Sequence, residues 1–300
     1  MNGYGRGVRA ILAVLLLGSA APAFAETAPR EKPAVVEEQG VAIEVPDPTP
    51  TGLLIAWKPA LLSVRVDSGS GSRFGSDSLQ PLRGVARLVT ELLDRLDLTD
   101  VTLAGNDTGG ALVQLIMADG PARVGRVVLA SCDAFDNFPP GLTGKTLVLA
   151  GKLPPALFGL FMQQLRLRPV RRLPIAFGWL TRRGDAATAR WLTPVLTRRD
   201  IRRDTVRVLR AAAAERGIML DVARRLPGFD RPALVVWASA DRVMPPGHGR
   251  RLAGILPQGR LVEVADSYTL IPLDQPAWLA RTIREFTYAP RTAVPPTPAT

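Results

Sequence analysis

Cysteine and histidine are almost absent from this sequence, which has one of each among 300 residues, Cys132 and His248. A single cysteine excludes an intramolecular disulfide. Protein zinc sites usually combine several Cys and His ligands, so the scarcity of both argues against a metal site. We therefore expect neither a metal nor another cofactor. The number of protomers cannot be read from the sequence.

Charge is abundant but unevenly distributed. The formal net charge is +11, and the segment from Lys152 to Arg231 holds 18 lysines and arginines against 6 acids. Such a segment is typical of a solvated helical face, an anionic ligand site or a membrane-facing surface. Few aromatic residues accompany the arginines and no nucleic-acid-binding motif is present, so we expect no nucleic-acid partner. Peripheral membrane contact through this basic segment stays open.

The first 25 residues have the pattern of a secretory signal peptide. Arg6 and Arg9 precede the apolar run Ala10–Leu17, and Ala23–Ala25 forms an A-x-A cleavage site. This order predicts cleavage and export to the periplasm or the extracellular space. The alternative is an uncleaved anchor in the inner membrane, although the apolar run is short for a membrane span.

Hydrophobic periodicity divides the remaining chain into a core interrupted by a helical block. The predicted parts are a flexible segment at 26–50, a core at 51–131 and 233–288, a helical lid at 132–232, and a disordered tail at 289–300. Within the lid, prolines break several helices, and only Lys145–Ala150 has the apolar pattern of a strand. Alternating strands and helices around an insertion predict an α/β fold, with a mostly parallel sheet and an inserted helical lid.

The stretch Val101–Gly110, VTLAGNDTGG, predicts a strand, a tight turn and the start of a helix. The turn has the form G-x-D-x-G, with Asp107 between Gly105 and Gly109. This is a nucleophile-elbow pattern with Asp in the central position. The central residue of such a turn takes a strained positive φ, and its neighbours must be small because strand and helix pass close together.

Taken with the later segments, residues 84–287 resemble the α/β-hydrolase fold. The order is the elbow GNDTGG, a strand RVVLAS, a helical block, ALVVWASADRVMPP and RLVEVADSYTLIPLDQP. The Asp at the elbow is similar to the haloalkane dehalogenase and epoxide hydrolase branch. The resemblance implies that Asp107 is the nucleophile, Asp241 the acid that orients a histidine, and the Thr108 backbone N–H an oxyanion donor.

In that branch, the carboxylate displaces a leaving group from carbon and forms an ester with the enzyme. A histidine then activates the water that hydrolyses this ester. The resemblance thus implies a hydrolase acting on a small apolar ester, halide or epoxide.

Three features depart from the family pattern. The catalytic histidine should lie seven residues before Pro276, but that position is Thr269, which cannot act as a base near neutral pH. The His-Gly oxyanion loop that should follow the central early strand, Gly52–Trp57, is missing. Thr108 also replaces the tryptophan that often follows the nucleophile and supports a halide.

The only histidine of the sequence, His248, lies seven residues after Asp241 at the start of a predicted helix. Its helix should direct it away from the elbow, so it is an unfavourable alternative base. Asp133 and Asp136 are alternatives for the acid. Two functions stay open: a hydrolase with impaired turnover, which we favour, and an inactive member that binds a small molecule or associates with a membrane.

Overall fold

A computed structural model describes the residues 9–15, 34–38, 41–45, 52–56, 81–95, 97–215 and 217–288. The tail at 289–300 and most of the predicted signal peptide lie outside the described residues. No helix in the described ranges is long and apolar enough to cross a membrane.

The described strands are β1 Arg9–Leu15, β2 Ala34–Glu38, β3 Val41–Val45, β4 Gly52–Ala56, β5 Thr99–Asp107, β6 Val124–Cys132, β7 Ala233–Ala238 and β8 Gly259–Val264. The described helices are α1 Pro81–Arg95, α2 Thr108–Ala118, α3 Gly141–Ala150, α4 Pro155–Gln163, α5 Arg168–Arg171, α6 Asp185–Thr197, α7 Arg199–Ala214, α8 Ile218–Arg225, α9 Pro246–Ile255, α10 Ile271–Asp274 and α11 Pro276–Tyr288.

Six strands form one parallel sheet in the order β4-β1-β5-β6-β7-β8, and β2 pairs with β3 in a separate antiparallel hairpin. Side chains of a strand alternate between its two faces. Along β7, Val235 and Trp237 join one apolar cluster, while Leu234 and Val236 join another. The sheet is therefore covered on both faces, as parallel sheets require. The predicted α/β class and parallel sheet are confirmed.

The described residues between β6 and β7 form helices and turns. A separate apolar cluster, which includes Phe158, Leu192 and Ile201, holds α4, α6 and α7 together. Helix α8 falls in the range predicted as lid, but Met219 and Val222 pack into the main core beside α2. This segment thus belongs structurally with the core.

The predicted strand at Lys145–Ala150 is wrong, because these residues form the second half of α3. Val148 and Ala150 are buried there, while Lys145 and Leu149 are exposed. A short apolar run of this kind fits a buried strand and a buried helix equally well, so periodicity cannot distinguish them.

Strand β1 lies inside the predicted signal peptide and pairs in parallel with both β4 and β5. It lies beside the elbow strand β5, while β4, within the segment that the sequence analysis took as the central early strand, lies one position further out. Cleavage after Ala25 would remove β1 from the sheet, so cleavage and this arrangement exclude each other. The signal peptide and export stay predictions.

Candidate active site

Asp107 is the last residue of β5, and helix α2 begins at the next residue, Thr108. Its backbone angles are φ 58° and ψ −131°, a conformation that residues other than glycine rarely adopt. The strained turn presents the carboxylate above the N-terminus of α2, where free N–H groups and the helix dipole favour negative charge. This is the backbone geometry that the G-x-D-x-G pattern predicts.

The glycines around Asp107 are required by close backbone contacts. A Cβ on Gly105 would lie 2.4 Å from the carbonyl oxygen of Gly109. A Cβ on Gly110 would lie 2.2 Å from the Cβ of Cys132 on the neighbouring strand. Strand β5, helix α2 and strand β6 can therefore meet only because both positions lack a side chain.

Alanine at either glycine should destabilise the protein strongly. We expect Gly105→Ala and Gly110→Ala each to lower the free energy of unfolding by about 3 kcal/mol, because the added methyl meets backbone or a fixed Cβ. Gly254→Ala is the control, since its Cβ would have no neighbour within 4 Å and alanine favours the helix. Urea unfolding of the three variants tests this, and equal stabilities would contradict the tight contact.

Asp241 follows β7 at the same edge of the sheet, and its side chain is held by three donors. Its Oδ1 accepts hydrogen bonds from the backbone N–H groups of Val243, at 2.9 Å, and Met244, at 2.8 Å. The Thr269 hydroxyl donates to the same oxygen at 2.8 Å. Burial raises the pKa of Asp241 to about 6, although these donors act against the rise.

Thr269 is fully buried and occupies the position where counting back from Pro276 places the family histidine. Its hydroxyl binds the acid that would otherwise orient an imidazole. The other carboxylate oxygen of Asp241, Oδ2, is buried, and a hydrogen bond from the Ser131 side chain also lowers the pKa of this carboxylate. The structure thus brings Asp241 and Thr269 together in the arrangement that an acid and its base would take, with a hydroxyl in place of a base.

Two residues that the sequence analysis did not single out hold the Thr269 loop. Buried Asn106 donates from Nδ2 to the carbonyl oxygens of Ala130, at 2.8 Å, and Thr269, at 2.7 Å. Buried Asp274 accepts from the Thr181 hydroxyl at 2.6 Å and from the backbone N–H of Tyr268 at 3.0 Å. Both contacts join segments far apart in sequence, so no local pattern could have revealed them.

Three carboxyl groups with raised pKa values follow consecutive strands of the sheet. Burial, followed by the negative charge of Asp241, raises the pKa of Asp107 to about 7, while the Thr108 backbone N–H acts in the opposite direction. Burial and the charge of Asp107 raise the pKa of Asp133 well above its usual value. A hydrogen bond from the Thr108 side chain acts against this rise. In the described ranges, no group of three or more His, Cys, Asp or Glu side chains is arranged to hold a metal ion.

These raised pKa values predict a protein that loses stability as pH rises. Between about pH 4 and pH 7 the folded protein keeps protons that the unfolded chain releases, so the free energy of unfolding falls across this range. We expect Asp133→Asn to flatten this fall, because an amide has no proton to lose as pH rises. Exposed Asp230→Asn is the control, and chemical denaturation at pH 5 and pH 8 is the measurement. An unchanged slope in Asp133→Asn would contradict a raised pKa at Asp133.

His248 lies on α9 and contacts residues outside the Asp241–Thr269 pair. Its ring meets that of Phe135 edge to face, with centroids 5.4 Å apart, and its Nε2 lies 3.7 Å from an Asp136 oxygen. Burial lowers its pKa, and Asp136 opposes this shift. The arrangement gives Asp241 no imidazole partner, as expected from the position of His248 in its helix.

Comparison with known proteins agrees with this architecture. Residues 50–282 match the family model described as "Alpha/beta hydrolase family". The match begins after β1, so the strand beside the elbow lies outside it. A search of curated protein sequences gives no significant match.

Several solved structures share the fold at low sequence identity. The enol-lactonase from Burkholderia xenovorans LB400 is 17% identical, with a TM-score of 0.57 and coverage of 94% of this chain and 92% of that one. Est816, described as an N-acyl homoserine lactone degrading enzyme, is 16% identical, with a TM-score of 0.57 and coverage of 94% of both chains. MGS-M2, from a Medee basin deep-sea metagenome library, is 17% identical, with a TM-score of 0.55 and coverage of 76% and 79%. The family match over most of the chain, on this sheet and elbow, establishes that the chain belongs to the alpha/beta hydrolase family.

Proposed function

We propose that Asp107 is a carboxylate nucleophile that attacks an electrophilic carbon of a small apolar substrate and forms an ester with it. The observation that supports this most directly is Asp107 itself, at the strained junction of β5 and α2. Positive φ alone is not unusual here, since Asp97, Asp100 and Asp266 also have it. The combination of φ 58° with ψ −131° lies outside the left-handed helical region of ordinary turns, and strain of this kind is usually retained where it serves a site.

The chemistry of a carboxylate favours alkyl halides and epoxides over esters. An Asp107 oxygen forms the new carbon–oxygen bond as the bond from that carbon to the halogen or to the epoxide oxygen breaks. A halide departs as an anion, whereas the epoxide oxygen stays on the adjacent carbon and takes a proton from water. Attack on an ester carbonyl would instead give an anhydride by expelling an alkoxide, which is a poorer leaving group than the carboxylate. Because Thr108 supplies no indole N–H to a halide, epoxides are the better candidates of the two.

Release of the product from Asp107 should be slow. The second step needs a base to take a proton from water while the water attacks the ester carbonyl. Thr269 cannot act as that base, and the described contacts of Asp241 include no imidazole. We therefore infer that the first half-reaction proceeds and that the ester accumulates.

The hydrogen bond from Thr269 to Asp241 also supports a second function. The Thr269 hydroxyl gives the Asp241 carboxylate a hydrogen-bond donor but supplies no base. Such a pair is expected in a member of the family that binds a small molecule and does not turn it over. The same experiment distinguishes this binding function from the first.

Intact-mass measurement tests the proposal. The protein is incubated with a haloalkane, an epoxide and a lactone in separate tubes, and product is assayed in the same tubes. We expect the wild-type protein to gain the whole mass of one epoxide, or the mass of one haloalkane less that of the hydrogen halide. Asp107→Asn should gain neither, and the exposed control Asp230→Asn should gain the same mass as wild type. The lactone is included because two structural neighbours are described as lactone-active enzymes.

Three outcomes would contradict nucleophilic attack by Asp107. Product formation that survives Asp107→Asn would place the chemistry elsewhere. Lactone hydrolysis without an adduct would favour direct attack by water. Neither adduct nor product with any of the three substrates would favour the binding function.

A further inference from the structure

The lid carries an unusual concentration of exposed apolar side chains. Nine large hydrophobic residues are exposed in the described part of the chain, and seven of them fall within 142–175. These seven are Leu142, Leu149, Leu157, Leu160, Leu167, Leu173 and Ile175. Single exposed leucines are ordinary, but this many within one short segment marks an interaction surface.

Four of the seven exposed side chains lie on α3 and α4, where helical spacing places them on the outer sides of the two helices. Leu142, Lys145 and Leu149 are exposed at positions i, i+3 and i+7 of α3, and thus lie on one side of that helix. Leu157 and Leu160 have the same relation on α4. Both helices pack against α7, so their exposed sides face away from it. We call the exposed sides of α3 and α4, together with residues 167–175, the leucine face.

The same stretch of chain has no negative charge of its own. No acid occurs from residue 137 to residue 184, while this range contains eight lysines and arginines. The first acid beyond it, Asp185, is already paired with Arg171 at 3.1 Å and Arg168 at 3.2 Å. Arg182 and Arg183 at the end of the range are likewise paired, with Asp266. Exposed leucines interspersed with the exposed Lys145 and Lys152 thus form a surface that is both apolar and positive.

We propose that the leucine face docks on the surface of an anionic lipid bilayer. The leucines enter the headgroup region, and the lysines and arginines around them contact lipid phosphates. Charge complementarity selects this occupant over a second copy of the chain. A symmetric dimer through this face would set two acid-free positive surfaces against each other. This inference is independent of the nucleophile proposed above.

Vesicle sedimentation of the full chain tests the docking surface. The vesicles contain phosphatidylcholine with about 30% phosphatidylglycerol, at low and high salt. All variants keep the same N-terminus, so differences between them arise from the substituted positions.

We expect wild-type protein to bind at low salt and to be released at high salt. The double variant Lys145→Gln, Lys152→Gln should weaken binding about 20- to 30-fold, because each charge near the membrane surface contributes about a factor of five. Leu157→Ser with Leu160→Ser should weaken it at least about tenfold. The matched controls, Leu220→Ser on α8 and Arg281→Gln with Arg284→Gln on α11, should bind like wild type.

Equal weakening in the lid variants and the controls would overturn the proposal, as would binding that neither lid variant changes. Binding to pure phosphatidylcholine without any salt dependence would contradict the charge argument. Concentration-dependent dimerisation that Leu157→Ser with Leu160→Ser abolishes would show that a second copy covers the face.

Discussion

Replacing Thr269 by histidine should raise the rate of product release by about 10²- to 10⁴-fold, the range that a well-placed general base supplies. The reason lies in the contacts of Asp241. Thr269 already donates to its Oδ1 at 2.8 Å, so position 269 lies within hydrogen-bond reach of this carboxylate. An imidazole at position 269 can donate from Nδ1 to this carboxylate, which leaves Nε2 free to accept a proton from water.

The controls for this variant separate base catalysis from repacking. Thr269→Gln has comparable bulk and can donate to Asp241, but it cannot take a proton from water, so its turnover should stay at the wild-type level. Adding Asp241→Asn to Thr269→His should abolish most of the gain. Because Thr269 is fully buried, circular dichroism and a melting curve must accompany the kinetics. A correctly folded Thr269→His protein with no gain in product release would contradict the assignment of position 269.

Adduct formation should depend steeply on pH. Only the ionised carboxylate is a nucleophile, and the pKa of Asp107 is raised to about 7. The rate should therefore rise about tenfold per pH unit up to pH 6 and level off above pH 8. Timed intact-mass measurements between pH 5 and pH 9 give the profile.

A variant of the neighbouring acid tests the cause of this profile. The charge of Asp241 contributes to the raised pKa of Asp107, so Asp241→Asn should move the midpoint to lower pH. The exposed control Asp230→Asn should leave the midpoint unchanged. A rate that falls as pH rises, or a midpoint near pH 4, would contradict a buried nucleophile next to Asp241.

Local sequence pattern was sufficient to predict most of the sheet and the elbow. The segments that form β5, β6 and β7 are mostly apolar and almost wholly buried. The glycine spacing around Asp107 defines the turn after β5. The position of Thr269 could be predicted because the final loop and helix keep a constant spacing in the family. In each case the information lies within about ten neighbouring residues.

Contacts between distant segments could not be predicted in this way. Asn106 joins three chain segments through one amide, and Asp274 ties residues 181–183 to the loop before α10. Nothing in the local sequence distinguishes these side chains from ordinary turn residues. The position of β1 beside β5 is also set by pairing between distant segments, since β1 ends at residue 15 and β5 begins at residue 99.

The origin of the oxygen in the product tests the role of Asp107 most directly. Wild-type protein forms its adduct with an epoxide, and the ester is then released at alkaline pH in water enriched in ¹⁸O. Water attacks the carboxyl carbon of the ester, so the product should carry ordinary oxygen, and one ¹⁸O should appear in the peptide that contains Asp107. One ¹⁸O in a different peptide, with none in the peptide that contains Asp107, would show that another residue carries the ester and that Asp107 is not the nucleophile.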